Sequence, residues 1–588
     1  MATLNFGTVK TPGVYIDEMS LFPPSVAQVD TAIPAFIGPT ELSTSVTLNT
    51  PTRIGSMAEY RRLFGGAPKR KVTVTLDERN TVTNVVQDSS SAQYMHDSLL
   101  MYFGNGGEKC YIVSTGPTTE TLTASSYDAG LAALRRYDEP TLLIAPDAVR
   151  LGANAKNVHT KLLDHCKVMQ DRFAILDVVM TSAGIIDSAT EFRTGVGMNA
   201  LNYGAAYYPY LQTTLPLSVT YPNLTVKQNL VPLSSSALTT LLSSGPDATA
   251  AVTAINNVKT DLTAMTTRQL TDDNYAAFSS AATDSAKQTA LQNLLKAFYN
   301  SAGSPVNYVF QDTALASAYS SYYTSSAYTT LLADVNDVTN YSVTKNPNII
   351  YNRVAAFIAN FNEQVNTRMK NADADLRSKS PLYSAIASAA ETQAIVLPPS
   401  GAIAGVYART DSERGVWKSP ANVSLNYVSA PVMAITDSEQ DNLNVAADGS
   451  GKSINAIRSF SGKGTLVWGA RTLAGSDQEW RYVSVRRFFI MAEESIKKAT
   501  AQFVFEANDA NTWVRLRTMI ENFLTLQWRA GALAGAKPDN AFFVRVGLGQ
   551  TMTPQDVLDG FMIIEIGMAV VRPAEFIVLR FSHKMQQA

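Results

Sequence analysis

Between residues 31 and 211, short apolar runs of strand length keep returning, separated by stretches with helical character, and this alternation restricts the fold more than any other feature. The runs are AIPAFIG (32–38), KCYIVS (109–114), TLLIAPD (141–147) and FAILDVVM (173–180); between them lie SAQYMHDSLLMYF (91–103) and VHTKLLDHCKVM (158–169). Such alternation is the signature of an α/β layer fold. It resumes at IVLPPSGAIAGVYART (395–410), after a stretch of different composition. From about 212 to 395 Ala, Ser, Thr, Asn and Tyr dominate, as in SAYSSYYTSSAYTTLLADVNDVTNYS (317–342). Apolar periodicity persists there in LTTLLSS and TALQNLLKAFY, so the segment reads as a folded accessory unit that interrupts the α/β domain in sequence but not in space.

The two ends differ from the middle. Residues 1–30 read as an extended arm: a Pro-Gly turn in TPGVYIDEMS, a β-type run from Val14 to Asp17, then Pro23-Pro24. The C-terminal 110 or so residues open with the helix EESIKKATAQFVFE (493–506). Asn508 and Asp509 are candidate caps for a second helix, on which Trp513, Leu516, Ile520, Phe523 and Leu524 form an apolar stripe ending near Gly531. Thr553 with Pro554 behind it, and Gly560 as the stop, mark a third helix. Two apolar segments finish the chain: FMIIEIGMAVV (561–571), a core strand by its length, and EFIVLRFS (575–582).

The 588 residues allow three or four domains, and 46% hydrophobic with 17% charged residues exclude global disorder. Forty-eight Lys and Arg against 50 Asp and Glu give a net charge of −2, with no global electrostatic footprint for nucleic acid or an anionic membrane. Two cysteines, Cys110 and Cys166, make neither a disulfide framework nor a zinc pattern and fit a reducing compartment. The N-terminus lacks the basic-then-apolar order of a secretory signal, and no run of 18 apolar residues is present, so synthesis and folding in the cytosol are expected.

Several motifs suggest chemistry. AADGSGKS (446–453) fits a loose phosphate-loop pattern with Ala446 in place of glycine. The polar TDSEQDNLNV (436–445) precedes it instead of a buried strand, so a solvated Gly-Ser turn is expected. GVGMNA (195–200) matches a dinucleotide fingerprint only in letters, because the nearest strand ends some 15 residues earlier. His159 and Cys166 share a helix face and His165 points elsewhere, which is no coordination sphere. With four histidines and no G-x-S-x-G, no nucleophile stands out. Arg486-Arg487 and Lys497-Lys498 read as either a docking patch or a solvated helix face.

Taken in order, TPGVYIDE (11–18), TAIPAFIGPT (31–40), YFGNGGEKCYIV (102–113), DRFAILDVV (171–179), PPSGAIAGVYARTDSERGVWKSPANV (398–423), INAIRSFSGKGTLVWGARTL (454–473), WRYVSVRRFF (480–489), FEANDANTWVRLR (505–517) and RPAEFIVLRF (572–581) resemble the contractile tail sheath family of phages, R-type pyocins and extracellular contractile injection systems. The resemblance reaches both ends and leaves only about 212–395 unmatched.

It implies a multidomain sheath protomer with a subtilisin-like α/β middle domain lacking catalysis, a C-terminal α+β assembly domain completed by strand exchange, and a large inserted outer domain. The corresponding divisions are 1–30, an arm donating a strand; 31–211 and 396–475, the two halves of the α/β body; 212–395, the outer domain; and 476–588, the assembly domain facing the inner tube. Val14, Tyr15, Ile16 and Asp17 at one end, and Glu575, Phe576, Ile577, Val578 and Leu579 at the other, would exchange strands between protomers. Lys497, Lys498, Glu493 and Glu494 would contact the tube.

The implied function is structural: six protomers per ring, stacked helically around a tube protein, contracting to drive it through a target envelope. The implied partners are further copies, the tube, baseplate and terminal cap proteins, and sheath paralogues, with no cofactor, metal, nucleic acid or membrane insertion. Assembly would take place in the cytoplasm of the producing bacterium, in a phage tail or a tail-like particle released from the cell. PPSGAIAGVYARTDSERGVW is closer to the injection-system branch, a phage tail sheath being the alternative; a subtilisin-like hydrolase or a P-loop ATPase is the competing class.

Overall fold

A computed structural model describes residues 26–41, 47–88, 91–118, 121–270, 277–278, 281–296, 310–323, 326–336, 347–446 and 449–579. The expected alternation is realised as a nine-stranded sheet. Across it run Val423–Ser424, Gly464–Val467, Ile454–Phe460, Gly204–Tyr208, Phe173–Asp177, Leu142–Ile144, Pro34–Thr40, Cys110–Pro117 and Thr52–Ile54. From Ile454–Phe460 to Cys110–Pro117 every neighbouring pair is parallel. Pro34–Thr40, Leu142–Ile144, Phe173–Asp177 and Gly204–Tyr208 are buried at every residue. That is why they read as unbroken apolar runs: a parallel strand covered on both faces has no solvent side on which to place polar residues.

Two buried aspartates at neighbouring strand ends hold the helices that cover the sheet. Asp147 accepts from the backbone N–H groups of Tyr94 and Met95, at the start of the helix Met95–Gly104, both at 3.0 Å. Asp177 accepts from the Ser400 N–H at 2.8 Å and from its hydroxyl at 2.5 Å, at the start of the helix Ser400–Arg414. Each carboxylate thus satisfies donors that a helix N-terminus leaves open. The two helices lie against each other through glycine. A Cβ on Gly401 would stand 2.4 Å from the Ser98 carbonyl oxygen, and one on Gly405 2.5 Å from that of Tyr102. Gly401 and Gly405 are one helical turn apart, so GAIAG is a packing face.

Burial pushes the Asp177 carboxyl up to about 7, against the two Ser400 hydrogen bonds that favour ionisation. Because the folded value lies above the unfolded carboxylate value of ~4, the fold favours the neutral form; that contribution is full below pH ~4 and is lost as pH rises through the folded value. Asp177→Asn retains both partners, since the Ser400 hydroxyl also accepts. We expect it to match the natural chain in thermal stability near pH 4 and to exceed it by roughly 3 kcal/mol at pH 8. A stability difference that is the same at both pH values would contradict this account.

The segment from 212 to 395 is tied into the body at both ends. Leu211–Thr213 pairs with Val396–Leu397 and Val428–Pro431, and Leu224–Gln228 runs parallel to Val72–Leu76. Helices come next, including Pro246–Leu270 and Pro347–Lys379. The far end of the second returns to its origin: Asp373 accepts from the Tyr221 N–H at 2.9 Å and Arg377 donates to the Val219 carbonyl at 2.9 Å.

The C-terminal region has its own core. Phe488, Met491, Leu516, Met519, Ile520, Phe523 and Leu524 pack together, joined by Val26 and Val416. The arm root and the chain just past the Ser400–Arg414 helix therefore contribute to it.

Candidate assembly sites

Local chemistry sets the C-terminal elements as expected. Asp509 caps Ala510–Arg529 by accepting from the Thr512 N–H at 2.9 Å, while Asn508 accepts from the Trp513 indole at 2.7 Å and donates to the Phe561 carbonyl at 2.9 Å. Thr553 and Asp556 form a reciprocal capping box with Pro554 at the first helical position, and Gly560 has φ +81°. The leading helix differs from its expected span. It runs Val483–Thr500, so Arg486 and Arg487 lie inside it, and the chain from Val504 to Asp509 is not helical.

The expected core strand 561–571 is instead an edge. Only Glu565–Met568 is strand, paired antiparallel with Phe542–Arg545 in a two-stranded sheet. Met562, Ile564, Ile566, Met568 and Val570 pack inward while Phe561 and Ile563 are exposed, a period-two pattern with one covered face. Among the described residues neither strand has a further strand partner.

After Val571 the chain belongs to no helix or strand through Leu579. Phe576, Ile577, Val578 and Leu579 are 72–79% exposed, four consecutive large apolar side chains turned to solvent. Glu575 immediately before them is held. Arg471 donates to it from Nε at 2.9 Å and from Nη2 at 2.7 Å, and Asn444 donates at 2.9 Å. Burial raises the Glu575 carboxyl, yet the bonds from Arg471 and Asn444 outweigh it and hold the group below the usual carboxylate range. At the other end Val14, Tyr15, Ile16 and Asp17 lie outside the described residues.

The four charged residues of the long helix are brought together in two sets. Glu494, with a side chain 10% exposed, accepts from Lys497 at 3.1 Å and lies 3.4 Å from Lys498. Glu493 faces Arg486 at 3.6 Å. The Glu494 hydrogen bond holds the Lys497 ammonium above its ordinary value. Lys497 and Lys498 remain 71% and 45% exposed.

Arg486 and Arg487 are not a cationic surface. Arg486 is buried against Tyr203, whose hydroxyl accepts at 2.8 Å, and Arg487 reaches Asp411 and the Thr31 carbonyl. The only sequence signal was their setting, VSVRRFFIMA, where apolar residues surround both.

Lys452 is likewise buried rather than in a solvated turn, its Nζ donating to the Arg193 carbonyl. It precedes the strand Ile454–Phe460, whereas a phosphate loop opens a helix there. His159, His165 and Cys166 are buried in the helix Ala155–Met169. No cluster among the described residues is arranged to hold a metal ion, and no helix there is long and apolar enough to cross a membrane.

An α/β body, a two-stranded sheet with no further strand partner among the described residues, and an exposed apolar segment at 576–579 thus lie on one chain. Residues 475–584 match the phage tail sheath C-terminal domain. The chain resembles contractile tail sheath proteins, in sequence at its C-terminal domain and in fold along its length. It is 25% identical to the tail sheath protein of Vibrio phage KVP40 over 186 residues, 32% of this chain and 26% of that protein. It is 30% identical to the tail sheath protein of Burkholderia phage BcepMu over 145 residues, 24% of this chain and 30% of that one. These alignments thus span less than a third of either relative. Solved structures match over nearly the full length. The contracted helical sheath of the anti-feeding prophage is 26% identical, with a TM-score of 0.51, covering 98% of this chain and 100% of that one. A chain of the 6-fold symmetrised anti-feeding prophage baseplate is also 26% identical, with a TM-score of 0.50 and coverage of 98% and 100%.

Proposed function

We propose that the chain is the protomer of a contractile sheath, polymerised as stacked six-membered rings around an inner tube and driving that tube through a target envelope when it contracts. The observation that carries this is the exposed ribbon Phe576–Leu579 on the same chain as a two-stranded sheet with open edges. An apolar strand donor and an edge able to receive one are a hazard in a monomer and a joint in a polymer. The N-terminal arm, with Val14–Asp17, is the second donor. Six-fold order is supported by the similarity to the symmetrised baseplate chain.

In this reading the nine-stranded sheet is the subtilisin-like body without catalysis, and its sheath relatives are structural proteins. Firing consumes no fuel. The work comes from exchanging one set of contacts for a larger one: an extra ~200 Å² of apolar burial per protomer gives about 5 kcal/mol. Residues 212–395 form an accessory domain on the outer surface. Baseplate and cap proteins complete the particle, which is a phage tail or an injection system; the near-complete match to the anti-feeding prophage sheath favours the second.

Negative-stain microscopy of the purified chain tests the whole reading. Tubes or rings are expected, and a monodisperse monomer at high concentration would count against it. The tube contact is placed on Lys497 and Lys498 with Glu493 and Glu494. Exposed charge pairs worth about 0.2–1 kcal/mol each, multiplied by symmetry, hold a tube and still let it go. Lys497→Glu with Lys498→Glu is expected to abolish co-assembly with the tube while empty sheath still polymerises. Full-length extended particles at normal yield would move the contact elsewhere.

A further inference from the structure

We propose that Glu575 is not part of the donated strand but the anchor that fixes where the C-terminal arm leaves its own protomer, a positioning residue for donation to a second copy of this chain. This rests on the strand-exchange reading above. Three elements of the protomer converge on its carboxylate. Arg471 lies beyond the strand Gly464–Val467, Asn444 ends the helix Asp437–Asn444, and the Tyr482 hydroxyl, 3.2 Å away, belongs to the cap of Val483–Thr500. Arg471 is itself fixed, 5% exposed, with its N–H on Asn455 Oδ1 at 2.8 Å and its Nη1 on the Asn444 carbonyl at 3.2 Å. A planar guanidinium bonded twice to one carboxylate sets direction as well as position.

The next four side chains are almost fully exposed. Held chain therefore gives way to projecting chain at a single peptide bond, Glu575–Phe576. Pro573, two residues earlier, fixes one backbone angle on the approach.

The position of the anchor matters mechanically. The last backbone hydrogen bond between the arm and the C-terminal sheet region among the described residues is that of the Val571 N–H to the Ala532 carbonyl at 3.0 Å, whereas Glu575 is bound to the α/β body. A pull on the arm is thus carried into the body through Arg471 and not into a two-stranded sheet. A fixed root also confines the ribbon to a small volume, which raises its effective concentration at the edge of a neighbour.

Glu575→Ala and Glu575→Gln in the full chain test this, beside a chain ending at Glu575. Both native cysteines are buried, so cysteines introduced at Asp477 and Leu579 accept spin labels selectively in dilute protomer. Glu575→Ala is expected to broaden the distance distribution between the labels, to lower the melting temperature of the body because the buried Arg471 loses its carboxylate partner, and, at a temperature where the body stays folded, to raise the critical concentration for polymerisation about tenfold. Glu575→Gln keeps one acceptor oxygen but sets an NH2 where Arg471, Asn444 or Tyr482 donates, so it should recover only part of the loss. If Glu575→Ala polymerises at the natural concentration or below it, or if the distribution stays narrow, the anchor is wrong. If the truncated chain also polymerises, strand donation by this arm fails first.

Discussion

A chain ending at Glu575 is expected to fold normally and to remain unable to polymerise. The cut removes Phe576–Leu579 and the rest of the terminus, yet spares every contact of Glu575 with Arg471, Asn444 and Tyr482 and the whole of the second core. Since these four side chains are 72–79% exposed, deleting them removes almost no intramolecular burial, and the unfolding free energy should shift by less than about 0.5 kcal/mol. Between copies the change is large. Four residues added to a sheet edge supply main-chain hydrogen bonds and two covered side chains, and every protomer in the polymer would lose that joint together. Sedimentation of the truncated chain at a concentration where the full chain forms tubes is the measurement. A polymer of ordinary length would show that the tail is ornamental, whereas an unfolded product would show that it belongs to the core. Removing residues 1–20 should give a similar result if the N-terminal arm is the second donor.

The parts of this fold that were legible in the sequence are those set by near neighbours. Phe173–Asp177 is apolar because both its faces are covered, and a run of that kind stands out without knowledge of its partners. Asp509, Thr553 and Pro554 act within three residues of themselves. What stayed hidden depends on distant chain. Arg487 is buried because Asp411 and Thr31 are waiting for it, 76 and 456 positions away. Lys452 is drawn inward by Arg193, 259 positions earlier, so a turn rich in Gly and Ser conceals a buried cation. The start of the long helix was missed for a different reason. The β-branched VSV at 483–485 favours extended chain locally, and only packing of Phe488, Met491 and Ala492 into the second core makes it helical. In the candidate sites, the apolar run at 576–579 was visible, but nothing in the letters distinguished the held Glu575 from the projecting Phe576. The first of the two has its partners at 444, 471 and 482.

Asp411→Ala is expected to cost about 3–5 kcal/mol of folding stability, the cost of leaving a buried guanidinium without its counter-ion. Asp411 lies on the helix Ser400–Arg414, and its side chain and that of Arg487 are 7% and 3% exposed. Arg487 Nη1 donates to Asp411 Oδ1 at 2.9 Å, Nη2 donates to the Thr31 carbonyl at 2.8 Å, and the guanidinium sits 4.6 Å from the Tyr407 ring centroid. The Thr31 hydroxyl donates to Asp411 Oδ2 at 2.6 Å. One ion pair therefore joins the root of the N-terminal arm, the α/β body and the leading helix of the C-terminal region. Such a pair is a weak source of net stability, since desolvating both charges offsets most of their attraction, but it fixes geometry. Asp411→Leu combined with Arg487→Met separates the two effects. The double variant removes both charges and fills the space, so chemical denaturation should place it within about 1 kcal/mol of the natural chain. The Thr31 hydroxyl and carbonyl would still have lost their partners, and limited proteolysis should cut near residues 26–31 faster than in the natural chain. A single substitution costing under ~1 kcal/mol would mean that water reaches Arg487 and that the arm root is held by Val26 and Val29 packing with the hydrogen bonds of Val29 to Ser495 and of Asp30 to Lys109.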